Sequence, residues 1–355
     1  MVTIKDVAKK ANVSVATVSL VIHNHKRISQ ETRKRVLKVI DELGYHPSHS
    51  ARGLVSRRSG NIGFITTNDH FSRSEPFYTQ IFLGTEFRAR DLEYYVLLTT
   101  IPSDFSENDP LPRFVLEHNV DGVIIAGKVP ANLVERLEEK NLPIIFVDYY
   151  LEGHRQPAVM IDNVDGGRQA TRHLLDCGHR DIAFIGGDIG HPSISERYQG
   201  YRQALEEAAV PFSPGRCVLD APYPDREGGY RSIKKLLESG EAFSAVFSCN
   251  DAMAIGALQG LREAGLRVPQ DVSIIGFDDV EADLSLDPPL STMRVPKVDL
   301  GIEAVNLVVN ELKSPGQPFR KILVPAELVV RGSTCYKPEN AVSHNKSYTQ
   351  PNKRR

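Results

Sequence analysis

The sequence predicts an α/β protein in three parts: a small all-helical head, a short linker, and a body of two parallel-sheet subdomains. Three observations predict it. The first sixty residues place apolar side chains at helical spacing, interrupted by short polar turns. Beyond them, short runs rich in Ile, Val and Phe alternate with helical patterns, the signature of βαβ units. That alternation occurs twice over, so the body divides into two similar halves. The length, 355 residues, also exceeds one ordinary domain.

In the head, Thr3 is placed to cap a first helix whose Ile4, Val7, Ala8 and Ala11 share one face. Asn12 tolerates a left-handed turn, and Ser14 caps a second helix almost at once. Val18, Val21 and Ile22 form the inner stripe of that helix, and the polar run 23–26 reads as a loop. Ser29 caps a third helix with Val36, Leu37, Ile40 and Leu43 inward; Gly44 ends it and Pro47 blocks continuation. Two helices on a very short turn, braced by a third, make a helix-turn-helix over 1–47. Val15, Ala16, Thr17, Ser19 and Leu20 project away from the inner stripe. The hydroxyls of Ser14, Thr17 and Ser19 suit phosphate contacts at a helix N-terminus. Val15, Ala16 and Leu20 offer apolar contact only, which matches a thymine methyl; packing of Val15 and Leu20 on the rest of the protein is the alternative.

The linker, 48–60, contains a stretch at 48–56 that is too short to hold a helix alone in water, and Gly53 weakens it by up to ~1 kcal/mol. The body, 61–335, begins with strands expected near 61–66, 94–99, 122–126 and 143–148. A second set is expected near 182–186, 245–248 and 272–278. The chain crosses between subdomains near 147–163 and again near 277–292, and a last strand over 321–330 rejoins the second crossover. In open α/β sheets ligands sit at the carboxyl ends of strands. That rule selects Phe77 and Tyr78, then Asp148 and Tyr149, Asp162 and Asn163, Asn250 and Asp251, and Phe277, Asp278 and Asp279. Aromatic faces with convergent carboxylates, amides and an arginine suit a hydroxyl-rich sugar. Asp162 and Asn163 read equally well as caps of the helix that follows. Asp251 and Asp279 read as structural.

Averaged over the chain, charge is uninformative: 43 Lys and Arg against 45 Asp and Glu, a net of -2, with a pI near 6.6. The average conceals a segregation. Residues 1–60 hold twelve basic and four acidic residues, the body carries an excess of acid, and 336–355 hold five basic residues and one acid. A basic head on an acidic body points to a polyanion met by the head alone. No apolar run approaches the ~18 residues of a membrane span, and no apolar signal region follows Met1. Cys177, Cys217, Cys249 and Cys335 are scattered without metal or disulfide spacing, which fits a reducing cytoplasm. The tail, 336–355, is polar and aperiodic and is expected to be disordered. It has no leucine heptads to support a helical tetramer.

Thr3-Ile4-Lys5-Asp6-Val7-Ala8, Val13-Ser14-Val15-Ala16-Thr17-Val18-Ser19, Glu31-Thr32-Arg33, Glu42-Leu43-Gly44-Tyr45-His46-Pro47 and Ala51-Arg52-Gly53-Leu54 follow one another in specific order and spacing. In these motifs the chain resembles the lactose-repressor (LacI/GalR) family of bacterial transcription regulators, and the resemblance runs to about Arg331. It implies a periplasmic-binding-protein-like body and a homodimer whose heads enter successive major grooves of palindromic double-stranded operator DNA. It makes 48–56 a hinge helix that orders when two copies meet on DNA, with Leu54 wedged into the minor groove and Arg52 along it. His23 stands where the family most often has Asn, at a phosphate contact or cap. Arg197, in Ser195-Glu196-Arg197-Tyr198-Gln199-Gly200-Tyr201, matches the family's effector arginine. Asp278 in Ile-Gly-Phe-Asp-Asp matches its effector aspartate, and Asn250 matches the asparagine of its Asn-Asp-x-Met-Ala motif. Tyr149 and Tyr223 fall where relatives place a stacking aromatic, and Ser193 where a hydroxyl reaches the ligand.

The expectation is a repressor that binds its operator as a dimer through Thr3, Ser14, Val15, Ala16, Thr17, Ser19, Leu20, His23, Arg52 and Leu54. A small-molecule effector, a sugar or sugar derivative, would be held by Phe77, Tyr78, Tyr149, Asp162, Ser193, Arg197, Tyr223, Asn250 and Asp278. A purine or nucleoside sensor, or a regulator steered by a partner protein, is the alternative. No cofactor, metal or membrane is called for. Enzyme activity is not expected, because neither Gly186-Gly187 nor Gly228-Gly229 completes a phosphate loop and no nucleophile elbow occurs.

Overall fold

The computed structural model describes residues 2–22, 27–45, 58–72, 77–151, 153–221, 223–316 and 318–334. The expected hinge helix over 48–56, with Arg52 and Leu54, lies outside them, as do His23 and the tail.

The head consists of α1 (Ile4–Ala11), α2 (Val15–Ile22) and α3 (Gln30–Leu43). Local chemistry sets their ends. The Asp6 carboxylate accepts from the Thr3 N–H at 2.8 Å and from its hydroxyl at 2.7 Å. Asn12 turns the chain at φ 49°, and the Ser14 hydroxyl accepts the Thr17 N–H at 3.0 Å. Ser29 likewise accepts from Thr32, and Gly44 closes α3 at φ 57°. The small core gathers Val7, Ala8, Ala11, Val18, Val21, Val36, Val39 and Tyr45. One expected core residue is corrected: Leu37 is 49% exposed and Val39 is buried in its place. With Val36 pointing inward, position 39 returns to the same face and 37 swings about 100° away from it.

The first lobe opens with β1 (Asn61–Thr67), α4 (Asn68–Ser72), α5 (Phe77–Asp91), β2 (Tyr95–Ile101), α6 (Arg113–Leu116) and β3 (Gly122–Ala126). It continues with α7 (Ala131–Glu138), β4 (Ile144–Val147) and β5 (Ala158–Ile161). The second lobe holds α8 (Asn163–Asp176), β6 (Ile182–Ile185), α9 (Pro192–Glu207), β7 (Cys217–Val218), α10 (Arg226–Glu238), β8 (Ala245–Ser248), α11 (Asp251–Glu263) and β9 (Ser273–Ile275). The chain then forms β10 (Thr292–Arg294), α12 (Lys297–Lys313), β11 (Lys321–Val324) and β12 (Glu327–Val329). The first sheet runs β11-β5-β4-β3-β1-β2 and the second β7-β6-β8-β9, and every pairing in both is parallel. Buried Ile, Val and Phe fill the inner strands of both sheets, as parallel sheets covered on two faces require, while the edge strands β2 and β11 of the first sheet are partly exposed.

The expected last strand over 321–330 is two strands. Lys321–Val324 pairs with β5 at the edge of the first sheet, while Glu327–Val329 pairs antiparallel with β10. Pro325 stands between them and donates no backbone hydrogen bond, so the ladder stops there. The chain therefore crosses between lobes a third time. Helix α12, although late in sequence, packs on α5 of the first lobe. Among the described residues, no helix is long and apolar enough to cross a membrane.

Candidate functional site

A cavity of about 870 Å³ lies at the carboxyl ends of strands from both sheets. Its walls come from the residues that follow β1, β3 and β4 in the first lobe and β6, β8 and β9 in the second.

Arg197 on α9 is only 5% exposed. Its Nε donates to Asn163 Oδ1 at 2.8 Å, and its Nη1 donates to the Cys249 carbonyl at 2.7 Å. The guanidinium lies 3.8 Å from the Phe277 ring centroid, a cation–π contact in a desolvated place. The same Nη1 stands 3.5 Å from Asp278 Oδ1. That oxygen is buried and has no hydrogen-bond partner. Burial pushes the Asp278 acid up to about 7, and Arg197 opposes the shift. Its backbone, at φ 121°, lies where non-glycine residues are strained. The Asp278 side chain lines the cavity beside Arg197, so a strained carboxyl group and a guanidinium border the same space, which fits a ligand rich in hydroxyls.

Asp148 follows β4 at φ 56° and ties the lobes together. It accepts from the Tyr78 hydroxyl of α5 at 3.0 Å and from the Ser193 hydroxyl of α9 at 2.7 Å. Burial and the Asp148 charge push the Tyr78 phenol well up, so it stays a neutral donor. His70 stacks on Tyr78 with ring centroids 4.3 Å apart, and Phe77 meets Tyr78 edge-on at 5.1 Å. Asn250 caps α11, accepting the Met253 N–H at 2.9 Å and donating to the Pro224 carbonyl at 2.7 Å. Tyr223 lines the cavity and is half exposed.

Of the sites expected from the sequence, Phe77, Tyr78, Ser193, Arg197, Tyr223, Asn250 and Asp278 line this one cavity. Tyr149 does not. It is 6% exposed and packs edge-on against Phe146 at 6.2 Å on the first-lobe side, with the His191 ring of the second lobe 5.8 Å away, between it and the cavity. Asp162 is also outside the lining. It caps α8 by accepting the Asp165 N–H at 3.1 Å. Asp251 accepts from the Thr292 hydroxyl at 2.6 Å and Asp279 pairs with Arg294 and Arg331, so both brace the second crossover. Sequence reasoning passed over Lys128 and Asp188, which follow β3 and β6 and meet at 2.6 Å across the cavity. The strand-end rule that selected Asp278 would have found them.

On α2, Val15, Ala16 and Leu20 are exposed. Thr17 and Ser19 are half-buried, and the Thr17 hydroxyl lies 2.9 Å from that of Ser14. Thr3 is exposed with its hydroxyl bonded to Asp6.

Residues 3–48 match the family described as bacterial regulatory proteins, lacI family, and residues 171–334 match a periplasmic binding protein-like domain. The ribose operon repressor of Haemophilus influenzae is 33% identical, over 94% of this chain and 98% of its own. The HTH-type transcriptional repressor PurR of the same species is 34% identical, again over 94% of this chain and 98% of its own. A lac repressor dimer bound to operator and the anti-inducer ONPF shares the fold at a TM-score of 0.76 and 27% identity, over 94% of this chain and 99% of that one. A head that matches at one end, a binding-protein body that matches at the other and relatives that span nearly the whole length agree: this chain belongs to the LacI family of bacterial regulatory proteins.

Proposed function

We propose that this protein is a cytoplasmic transcriptional repressor that binds a palindromic operator as a homodimer and is controlled by a sugar or sugar derivative in the cleft between its lobes. The observation that carries the effector reading is the buried Arg197–Asp278 ion pair, both of whose residues line the cavity. Operator DNA is met by α2 in the major groove, with Thr3 and His23 beside it and Leu54 and Arg52 in the minor groove. The sugar reading gains over a nucleobase sandwich because Tyr149 is outside the cavity lining, its ring against Phe146 and His191, so it is not placed to sandwich a base with Tyr223.

The test is selection of bound DNA sites from a random pool, then titration of the best site with and without ribose, cellobiose and nucleosides. A sugar is expected to change operator affinity about 5- to 150-fold. Coupling to nucleosides and to no sugar would reverse the choice of ligand class; coupling to nothing would remove the sensor.

The exposed apolar surface of α2 makes a separate prediction. Leu20→Arg should change which operator is preferred while leaving nonspecific binding nearly intact. Lys34→Ala, on the exposed side of α3, should weaken binding to all sequences alike and lower the salt slope by about 1. Gel-shift titrations on matched and scrambled operators at several salt concentrations read both. Equal effects of the two changes on every sequence would remove Leu20 as a reader.

A further inference from the structure

The charges lining the cavity do not suit an anion. Six carboxylates contribute to its walls, from Asp69, Asp148, Asp188, Asp225, Glu227 and Asp278, against the cations Lys128, Arg197 and Arg226. His191 adds nothing positive, because burial holds its imidazole below the ordinary range and keeps it neutral near pH 7.

Two of the three cations already face a carboxyl group of the protein itself. Arg197 commits its Nε to Asn163 and its Nη1 to the Cys249 carbonyl and Asp278, and with Asp278 beside it its charge is already opposed. Lys128, from the first lobe, meets Asp188 of the second at 2.6 Å. Asp188 is fixed from its other side by the Gly190 N–H at 2.9 Å, and Lys128 and Gly190 together hold its acid below the usual range. Two of the helix N-termini that border the cavity are likewise occupied by the protein's own groups. Asp225 accepts the Gly228 N–H at the start of α10 at 2.7 Å, and Asn250 caps α11. Helix starts of this kind bind phosphate when they are open. Here they face a carboxylate and an amide.

We infer that the effector is an uncharged polyhydroxyl compound, not a phosphorylated or acidic sugar, and that Asp188 enforces this choice by neutralising Lys128 at the cavity mouth. The inference rests on the effector reading of this cleft and deepens it. An entering phosphate would have to displace Asp188 from Lys128 and then sit among the remaining carboxylates. A neutral polyol need not displace Asp188 from Lys128 and finds the carboxyl groups of the wall as acceptors.

The test uses the full chain and matched pairs: ribose with ribose 5-phosphate, glucose with glucose 6-phosphate, and glucose with gluconate. Calorimetry and thermal melting read binding. Wild type is expected to bind the neutral member of a pair at least 100-fold more tightly than its charged partner. Asp188→Asn is nearly isosteric at a half-exposed position, and should narrow that ratio at least tenfold by freeing Lys128. Wild-type binding of a phosphorylated or acidic member as tight as that of its neutral partner overturns the inference and leaves the sugar reading standing. An unchanged ratio in Asp188→Asn, with its melting point retained, removes Asp188 as the determinant. Silence of every member of every pair overturns the sugar reading, and this inference with it.

Discussion

Arg197→Ala is expected to abolish the effector response and to lower stability by about 3–5 kcal/mol, because it leaves a buried carboxylate, an amide oxygen and a carbonyl without their common donor. The guanidinium reaches Asn163 of α8, Cys249 after β8 and Asp278 after β9 at once. Arg197→Lys keeps a charge but not the fork, and should recover only part of the loss. Asp278→Asn separates the role in binding from the role in folding, since it preserves volume and removes the charge. It also isolates a pH effect. The folded-state pKa of Asp278, about 7, lies above its ordinary value of 3.8. Its contribution to stability is therefore complete below about pH 4 and is lost as pH rises through 7, a span worth roughly 4 kcal/mol. Wild type should lose stability from pH 5 to pH 8 in denaturant melts, and Asp278→Asn should flatten that slope. Effector affinity in wild type should change through the same interval, as the group passes from one donor and one acceptor to a two-oxygen acceptor. A slope identical in both proteins would assign the pH response to another group, with the buried carboxylates Asp251 and Asp283 next in line because burial raises both.

The residues that the sequence made legible are those whose roles are local. Thr3, Ser14, Ser29 and Gly44 act within three or four positions of themselves, and all four lie at the helix ends expected of them. The strand-end rule was as reliable about place, since every lobe strand it used ends at or beside the cavity. It was less reliable about direction. Asp148 and Tyr149 are neighbours, and where a strand runs out, adjacent side chains point to opposite sides. Asp148 faces the cleft, while Tyr149 lies outside the cavity lining, against Phe146 and His191; one dimension does not say which. Asp162 and Asp278 present a similar ambiguity. Both are aspartates just past a strand, yet only Asp162 has a helix beginning one residue later, and the cap claims it. Pairings between distant segments left no local mark. Lys128 and Asp188 are sixty positions apart, and β11 finds β5 across the whole second lobe. The split at Pro325 was the one such feature with a local sign, a proline inside a run read as a single strand.

Gly200→Ala is expected to damage effector response more than it damages the fold. Helices α8 and α9 cross where Gly167 meets Gly200, and their backbones touch there. A methyl at 200 would fall well inside contact distance of the Val164 carbonyl, and one at 167 would do the same to the carbonyl of Arg197. Backbone atoms cannot rotate aside as a side chain can, so the helices must part. Overpacking of this kind costs about 1–3 kcal/mol. Arg197 lies three residues before Gly200 on the same helix, and Asn163 opens the opposite one. Any separation of α8 from α9 thus lengthens the 2.8 Å bond between them and draws the guanidinium off the Cys249 carbonyl. Gly84→Ala provides the comparison, because Gly84 and Gly301 make the same close crossing between α5 and α12, away from Arg197. The two variants should lose similar stability in chemical denaturation. Gly200→Ala should weaken effector binding by tenfold or more, and by clearly more than Gly84→Ala, whose helix brings only Phe77 and Tyr78 to the cavity, under conditions where both are folded. If both weaken it equally, the loss reflects a softened body in general, and the crossing of α8 and α9 has no special part in aiming Arg197 at the cavity.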